Sequence, residues 1–112
     1  MHIKLKETIL LLFLGLFFVS CTMGIYHRHR QDYEVYYSQG NAYYDRGDYD
    51  DAINSYRLAI SINPDYADAH YNMGYAYEKK GDNDNAVNSY RHAAKLGHKR
   101  AQNHLREKGY NW

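Results

Sequence analysis

A single cysteine in 112 residues excludes an intramolecular disulfide and the usual cysteine-based zinc sites. Neither sign of charge dominates, since 14 Lys and Arg face 13 Asp and Glu. That balance excludes an acidic or basic disordered tail and removes the general electrostatic reason to bind nucleic acid. Mean hydropathy is −0.80, which excludes a polytopic membrane protein. The chain also lacks a phosphate-cradling glycine loop, a His-Glu-x-x-His pair and a nucleophile elbow. No catalytic residue, metal or cofactor is expected, and the chain is read as a non-enzyme.

What the chain has in excess is tyrosine, 14 of its 112 residues against three Phe and one Trp. Tyrosine packs as a large apolar body yet keeps a hydroxyl that needs a partner. The longest apolar stretch runs from Ile9 to Val19 behind Lys4 and Lys6. It falls short of the ~20 residues that cross a hydrocarbon core. It fits the h-region of a secretory signal peptide, and residues 1–20 are read as one. The stretch closes on Phe18-Val19-Ser20-Cys21, which resembles the lipobox of bacterial lipoproteins. That resemblance implies a lipid on Cys21 and cleavage just before it, although Phe18 stands where leucine is usual. Thr22, in place of aspartate, implies sorting to the outer membrane, facing the periplasm. The alternatives are an ordinary signal peptide with an incidental cysteine, or an uncleaved short anchor.

Residues 21–32 are expected to be the lipidated cysteine and a flexible tether, because His27-Arg28-His29-Arg30-Gln31-Asp32 shows no apolar periodicity. His27 and His29 lack the further ligands a metal needs, while Arg28 and Arg30 suit anionic headgroups. Charge beyond the leader is polarised. Residues 21–66 carry four Lys and Arg against seven Asp and Glu, and residues 67–112 carry eight against five. Such a surface can orient a partner or favour head-to-tail contacts.

From residue 33 the chain repeats itself. Residues 33–66 laid on 67–100 give 13 identities in 34 positions without a gap, where chance gives about two. Tyr36, Gly40 and Tyr43, then Ala52, Tyr56 and Ala59, follow three- and four-residue steps that put each set on one helical face. Gly47-Asp48 and Gly81-Asp82 break each unit in the middle, the glycine suiting a left-handed helix end and the aspartate a helix cap. Asp50, Asp51 and Asp84 fall in first turns, and Arg46, Lys79, Lys80 and Lys95 near C-terminal ends, as helix dipoles favour. Pro64 marks the junction between units. Gly40 and Gly74 cost helix propensity, so helices are expected to approach closely there, with Ala52 and Ala86 as the small facing surface.

These residues resemble tetratricopeptide repeats: Tyr36-x2-Gln39-Gly40-x2-Tyr43, Ala52-x3-Tyr56, Ala59 and Pro64, then His70-x2-Met73-Gly74-x2-Tyr77, Ala86-x3-Tyr90 and Ala93. Gln39, His70 and His98 depart from the usual leucine, large aromatic and closing proline. Ala93-Ala94-Lys95-Leu96-Gly97 with Ala101-Gln102-x2-Leu105 resembles a Sel-like unit and implies a fifth helix from about Lys99 to Lys108, ending at Gly109. The expected fold is all-α: a short α-solenoid of two helix–turn–helix units, residues 33–66 and 67–100, closed by a capping helix and tail over 101–112. Tyr110 and Trp112 are expected to fold back as an apolar plug. Two repeats and a cap lie near the lower limit for a stable solenoid, so modest stability or self-association is expected.

The run Asp82-Asn83-Asp84-Asn85 is read as helix capping, since the glycine of a calcium loop would be Val87 and its twelfth residue Ala93. His70, His92, His98 and His104 are too dispersed for spacing to support a metal site. The tetratricopeptide resemblance instead implies a concave groove lined by Tyr37, Asn41, Tyr44, Tyr71, Asn72 and Tyr75, closed by Gln102 and Arg106. Rigid tyrosines give contact area at low entropic cost, and asparagine amides pair with peptide backbone. In chaperone adaptors of this family Asn41, Asn72 and Arg106 would correspond to parts of a carboxylate clamp. Tyr37 and Gln102 replace its lysines, so a full clamp is not expected. The resulting reading is a membrane-anchored adaptor that binds a peptide segment of a bacterial envelope protein, in pilus, secretion or envelope assembly. The alternatives are a self-associating structural lipoprotein and an accessory to a peptidoglycan-active enzyme.

Overall fold

The computed structural model describes the backbone of residues 2–112 and the side chains of residues 6–19, 24 and 32–112. Five helices run through them: α1 (His2–Arg46), α2 (Tyr49–Ile62), α3 (Ala67–Lys80), α4 (Asn83–Lys95) and α5 (Lys99–Glu107). Among the described residues there is no strand, and the all-α class holds. Packing divides the chain into two units, Met1–Gln31 and Asp32–Trp112.

In the first unit the large side chains from Ile9 to Val19 are exposed, Phe17 and Phe18 by 72% each. Residues 22–32, expected to be an irregular tether, are helical instead. Missing apolar periodicity removes a packing partner but not helix propensity, and this stretch has no proline and several good helix formers. The side chains of Cys21, His27, Arg28, His29 and Arg30 lie outside the described residues, and so does the lipidation assigned to Cys21. Among the described residues no helix is long and apolar enough to cross a membrane.

The second unit stacks helical hairpins on an alanine and tyrosine core. Ala52, Ala59, Ala69, Ala76, Ala93 and Ala101 are fully buried, and Tyr56, Tyr90 and Leu105 are the largest side chains sealed from solvent. The two central glycines explain how a tyrosine fits between helices. A Cβ on Gly40 would stand 2.5 Å from Tyr56 Cε1, and one on Gly74 would stand 2.6 Å from Tyr90 Cε1. Close approach was expected at both glycines, but the facing groups are these two rings rather than Ala52 and Ala86.

Each hairpin turns on a glycine at positive φ, Gly47 and Gly81 both at 83°, where a side chain would be strained. Both turns close in the same way: Asp48 N donates to Tyr43 O at 3.0 Å, and Asp82 N to Tyr77 O at 3.0 Å, satisfying carbonyls the helix end leaves open. The two caps differ. Asp82 accepts from Asn85 N at 3.3 Å and from Asn85 Nδ2 at 2.7 Å, whereas Asp48 makes no side-chain cap bond. The residue three positions on is Asn85 in one case and Asp51, with no side-chain amide to donate, in the other.

The second repeat is sealed by α5, one residue shorter than expected. His98, which stands where the family closes on proline, caps it: Nδ1 accepts from Ala101 N at 3.2 Å while Nε2 lies 3.0 Å from Asp68 Oδ1. The ring stacks on Tyr71 at 4.3 Å. The tail does fold back, Arg91 Nε donating to Asn111 O at 3.0 Å. Tyr110 and Trp112 nonetheless stay exposed under the guanidiniums of Arg91 and Arg106, so they form no buried plug. Cation–π stacking holds such rings without burying them.

Candidate functional site: a tyrosine and asparagine cleft

The first helix of each repeat carries its inner residues at i, i+3 and i+4, so Asn41, Tyr44 and Asp45 share a face of α1 and Asn72 and Tyr75 share one of α3. The structure brings these five together with Tyr56 around a cleft of about 440 Å³. A hydrogen-bond network forms its floor. Tyr56 Oη donates to Asn41 Oδ1 at 2.7 Å. Asn72 Nδ2 donates to the same oxygen and to Tyr37 Oη, both at 2.9 Å. Asn41 Oδ1 is thus taken twice and both Nδ2 hydrogens of Asn72 are spent. The groups left for an incoming chain are Asn41 Nδ2, a donor, and Asn72 Oδ1, an acceptor.

The tyrosines are held by one another. Tyr44 meets Tyr49 edge-on at 5.4 Å, Tyr37 lies against Tyr56 at 5.9 Å, and Tyr75 meets Tyr71 at 5.1 Å and Tyr90 at 5.8 Å. Burial pushes the Tyr56 phenol well above its ordinary range, and burial with the neighbouring rings raises Tyr44. At neutral pH these hydroxyls are therefore protonated donors rather than phenolates.

The expected groove residues separate into three groups. Asn41, Tyr44, Asn72 and Tyr75 line the cleft. Tyr37 supports it from behind through Asn72 and packs on Tyr66 at 4.9 Å. Tyr71 is 7% exposed, a core residue wedged between Tyr75, Tyr90 and His98. Arg106 is not brought to the cleft. It reaches Asn103 at 3.4 Å and lies over Trp112, and Gln102 donates to Ala94 O at 2.9 Å. Among the lining residues there is no cation. Tyr56 was read from sequence as packing alone. The signal that it also faces the cleft is Gly40, whose missing side chain lets the ring pass between the helices.

In the second repeat a smaller cleft lies at Glu78 and Tyr90, bounded also by His104, Lys108 and Tyr110. Tyr90 Oη donates to Glu78 Oε2 at 2.7 Å, and Glu78 also takes the ammonium of Lys108. His104 Nε2 lies 3.3 Å from Glu78 Oε2 without hydrogen-bond alignment. Burial pushes the Glu78 carboxyl up, but the bonds from Lys108 and Tyr90 outweigh it and hold the group below its usual range. About 160 Å³ remains there.

Comparison with known proteins agrees with this architecture. Residues 40–81 match the family model described as TPR repeat, and residues 67–96 match that of the tetratricopeptide repeat. A crystal structure of MamA is 32% identical over 59% of this chain and 39% of that one, with a TM-score of 0.59. A second, of MamA protein, is 37% identical over 62% of this chain and 38% of that one, with a TM-score of 0.56. The chain therefore spans well under two thirds of those proteins. No curated protein matches the sequence.

Proposed function

We propose that this chain, which carries tetratricopeptide repeats across residues 40–96, is a non-catalytic adaptor that holds an extended peptide segment of a bacterial envelope protein. The observation that carries the reading is the cleft between Asn41 and Asn72. It offers one donor and one acceptor beside rigid, mutually packed tyrosines, the complement of a single peptide unit and its side chain. In this reading the chain is a lipoprotein with a Sel-like C-terminal unit. Its lone cysteine, Cys21, closes the apolar run, and that run's side chains from Ile9 to Val19 are exposed, as a segment destined for a membrane or for cleavage requires. An outer-membrane anchor facing the periplasm, and a partner in pilus, secretion or envelope assembly, complete the proposal.

The test is site-specific photocrosslinking in intact cells, with the reactive side chain at Tyr44 and, as a control, at the exposed Lys95. A discrete adduct from Tyr44, absent from Lys95 and lost on Asn72→Ala, supports recruitment through the cleft. An adduct of twice the chain's mass replaces that reading with self-association, and no cleft-dependent adduct ends it. A globomycin-sensitive precursor in the wild type, with no mature lipidated form in Cys21→Ser, is the expected result for the anchor.

A further inference from the structure

We propose that the cleft is built for a basic side chain, and that the segment it holds presents a lysine or arginine to Asp45 and the surrounding tyrosine rings. This rests on the peptide-binding reading above and adds the chemistry of the residue recognised. Three observations carry it.

The first is the charge of the lining. Asn41, Tyr44, Tyr56, Asn72 and Tyr75 are neutral, and Asp45 is the charged member. A lone carboxylate among neutral lining groups sets a negative potential at the edge of an aromatic-walled space.

The second is where the neighbouring cations go. Arg46, next in sequence, donates to Ala42 O at 3.2 Å and lies over the Tyr43 ring. Lys80 is paired with Asp50, and Lys108 with Glu78. Among the described residues no ion pair to Asp45 is seen, whereas two other inner-face carboxylates, Asp68 and Glu78, have basic partners in His98 and Lys108.

The third is the wall. Tyr44, Tyr56 and Tyr75 line the cleft with aromatic rings, whose faces carry the negative quadrupole that attracts a cation. Lysine and arginine suit such a space in both halves. The methylene stem lies along the rings while the head reaches a carboxylate near solvent. An acidic side chain would meet Asp45, and an aliphatic one would leave the carboxylate unused.

The experiment uses the full chain, nitrogen-15 labelled, in neutral detergent. Two probes are titrated, acetyl-Ala-Ala-Lys-Ala-Ala-amide and the same peptide with norleucine for lysine, and amide shifts are followed for residues 41–45 and 72–75. The lysine peptide is expected to bind about tenfold more tightly, the scale of one charge-assisted contact with ring support, and to weaken as salt is raised. Asp45→Asn, at an exposed position, is expected to bring it down to the norleucine level while the spectrum stays folded. Equal affinities for the two peptides, or an unchanged lysine affinity in Asp45→Asn, overturn the proposal. If both peptides bind equally and still shift Asn41 and Asn72, the peptide-binding cleft survives and only the basic preference falls. If neither peptide shifts those residues while the Tyr44 crosslink fails as well, both readings fall together.

Discussion

The two repeats share a framework and part company on the inner face. In both, a glycine admits a buried tyrosine, Tyr56 against Gly40 and Tyr90 against Gly74. What each hydroxyl meets differs. Tyr56 ends on the neutral amide of Asn41, and about 440 Å³ stays open before it. Tyr90 ends on Glu78, a carboxylate that also draws in Lys108 from beyond α5, and about 160 Å³ remains. At an offset of 34, Asn41 aligns with Tyr75 and Tyr44 with Glu78. Among the 21 positions at which the units differ, these two go with an open inner surface in the first repeat and one occupied by Lys108 in the second. In a repeat protein, packing is set by the shared positions and binding by the positions that differ.

The largest expected effect tests the shared part. Gly40→Ala and Gly74→Ala are each expected to destabilise by ~2 kcal/mol, because the overpacking cost exceeds the gain in helix propensity. The ring cannot simply swing aside, since its hydroxyl is pinned and the side chain is almost wholly buried. Urea or thermal unfolding measures this, and similar costs in the two repeats are expected. A neutral result at either glycine would break the equivalence of the repeats. The next effect tests the difference. Tyr90→Phe removes a bond to a charged acceptor and is expected to cost about 1.5 kcal/mol, against about 0.5–1 kcal/mol for Tyr56→Phe with its neutral acceptor. Equal costs would mean that Glu78 is no better an acceptor than Asn41.

Much of this was legible in the sequence. The internal offset, the glycine breaks and the placement of charge near helix ends located four of the five helices, because each of those signals acts within a few residues. The continuation of α1 back through residues 22–32 was not legible, since a polar stretch without periodicity looks the same whether helical or not. At the cleft, Asn41, Tyr44, Asn72 and Tyr75 followed from the tetratricopeptide resemblance together with helical register. Tyr71 did not, because register cannot tell a tyrosine facing the groove from one covered by the next helix. His98 read as a departure from its family, yet it does a proline's job of ending one element and starting another by capping α5. Arg106 failed for a related reason: α5 turns that position toward Asn103 and the Trp112 ring.

Acid separates two further contributions by their pH windows. Burial, aided by the stacked His92 ring, lowers the pKa of His70 from the ordinary 6.5, against the opposing bond to the Pro64 carbonyl. The folded state then holds fewer protons than the unfolded one, so stability falls as pH drops below about 6.5 and levels off under the folded value. Glu78 acts in the same sense lower on the pH scale, with a folded pKa held below the ordinary 4.5. Its stabilisation is intact above that value and is lost as pH falls through the lower, folded one. Thermal midpoints from pH 8 to 3 should therefore decline in two steps. His70→Phe should flatten the upper step, and Glu78→Gln the lower. A single step untouched by either variant would show that neither group governs acid stability.

The smallest effect lies at the turns, where both repeats carry Gly-Asp. Asp48 and Asp82 occupy the same place before α2 and α4, but only Asp82 accepts from its own helix, through Asn85. Replacing either with alanine removes one negative charge from a helix N-terminus, a loss common to both. The difference between the two variants therefore isolates the cap bond itself. Asp82→Ala is expected to lower the thermal midpoint by about 2–4 °C and Asp48→Ala by about 1 °C. Hydrogen exchange reads the same contrast without mutation, since the Asn85 amide should exchange more slowly than that of Asp51. Equal midpoints and equal exchange would mean that Asn85 contributes nothing as a donor, and the one-residue difference between the turns would be energetically silent.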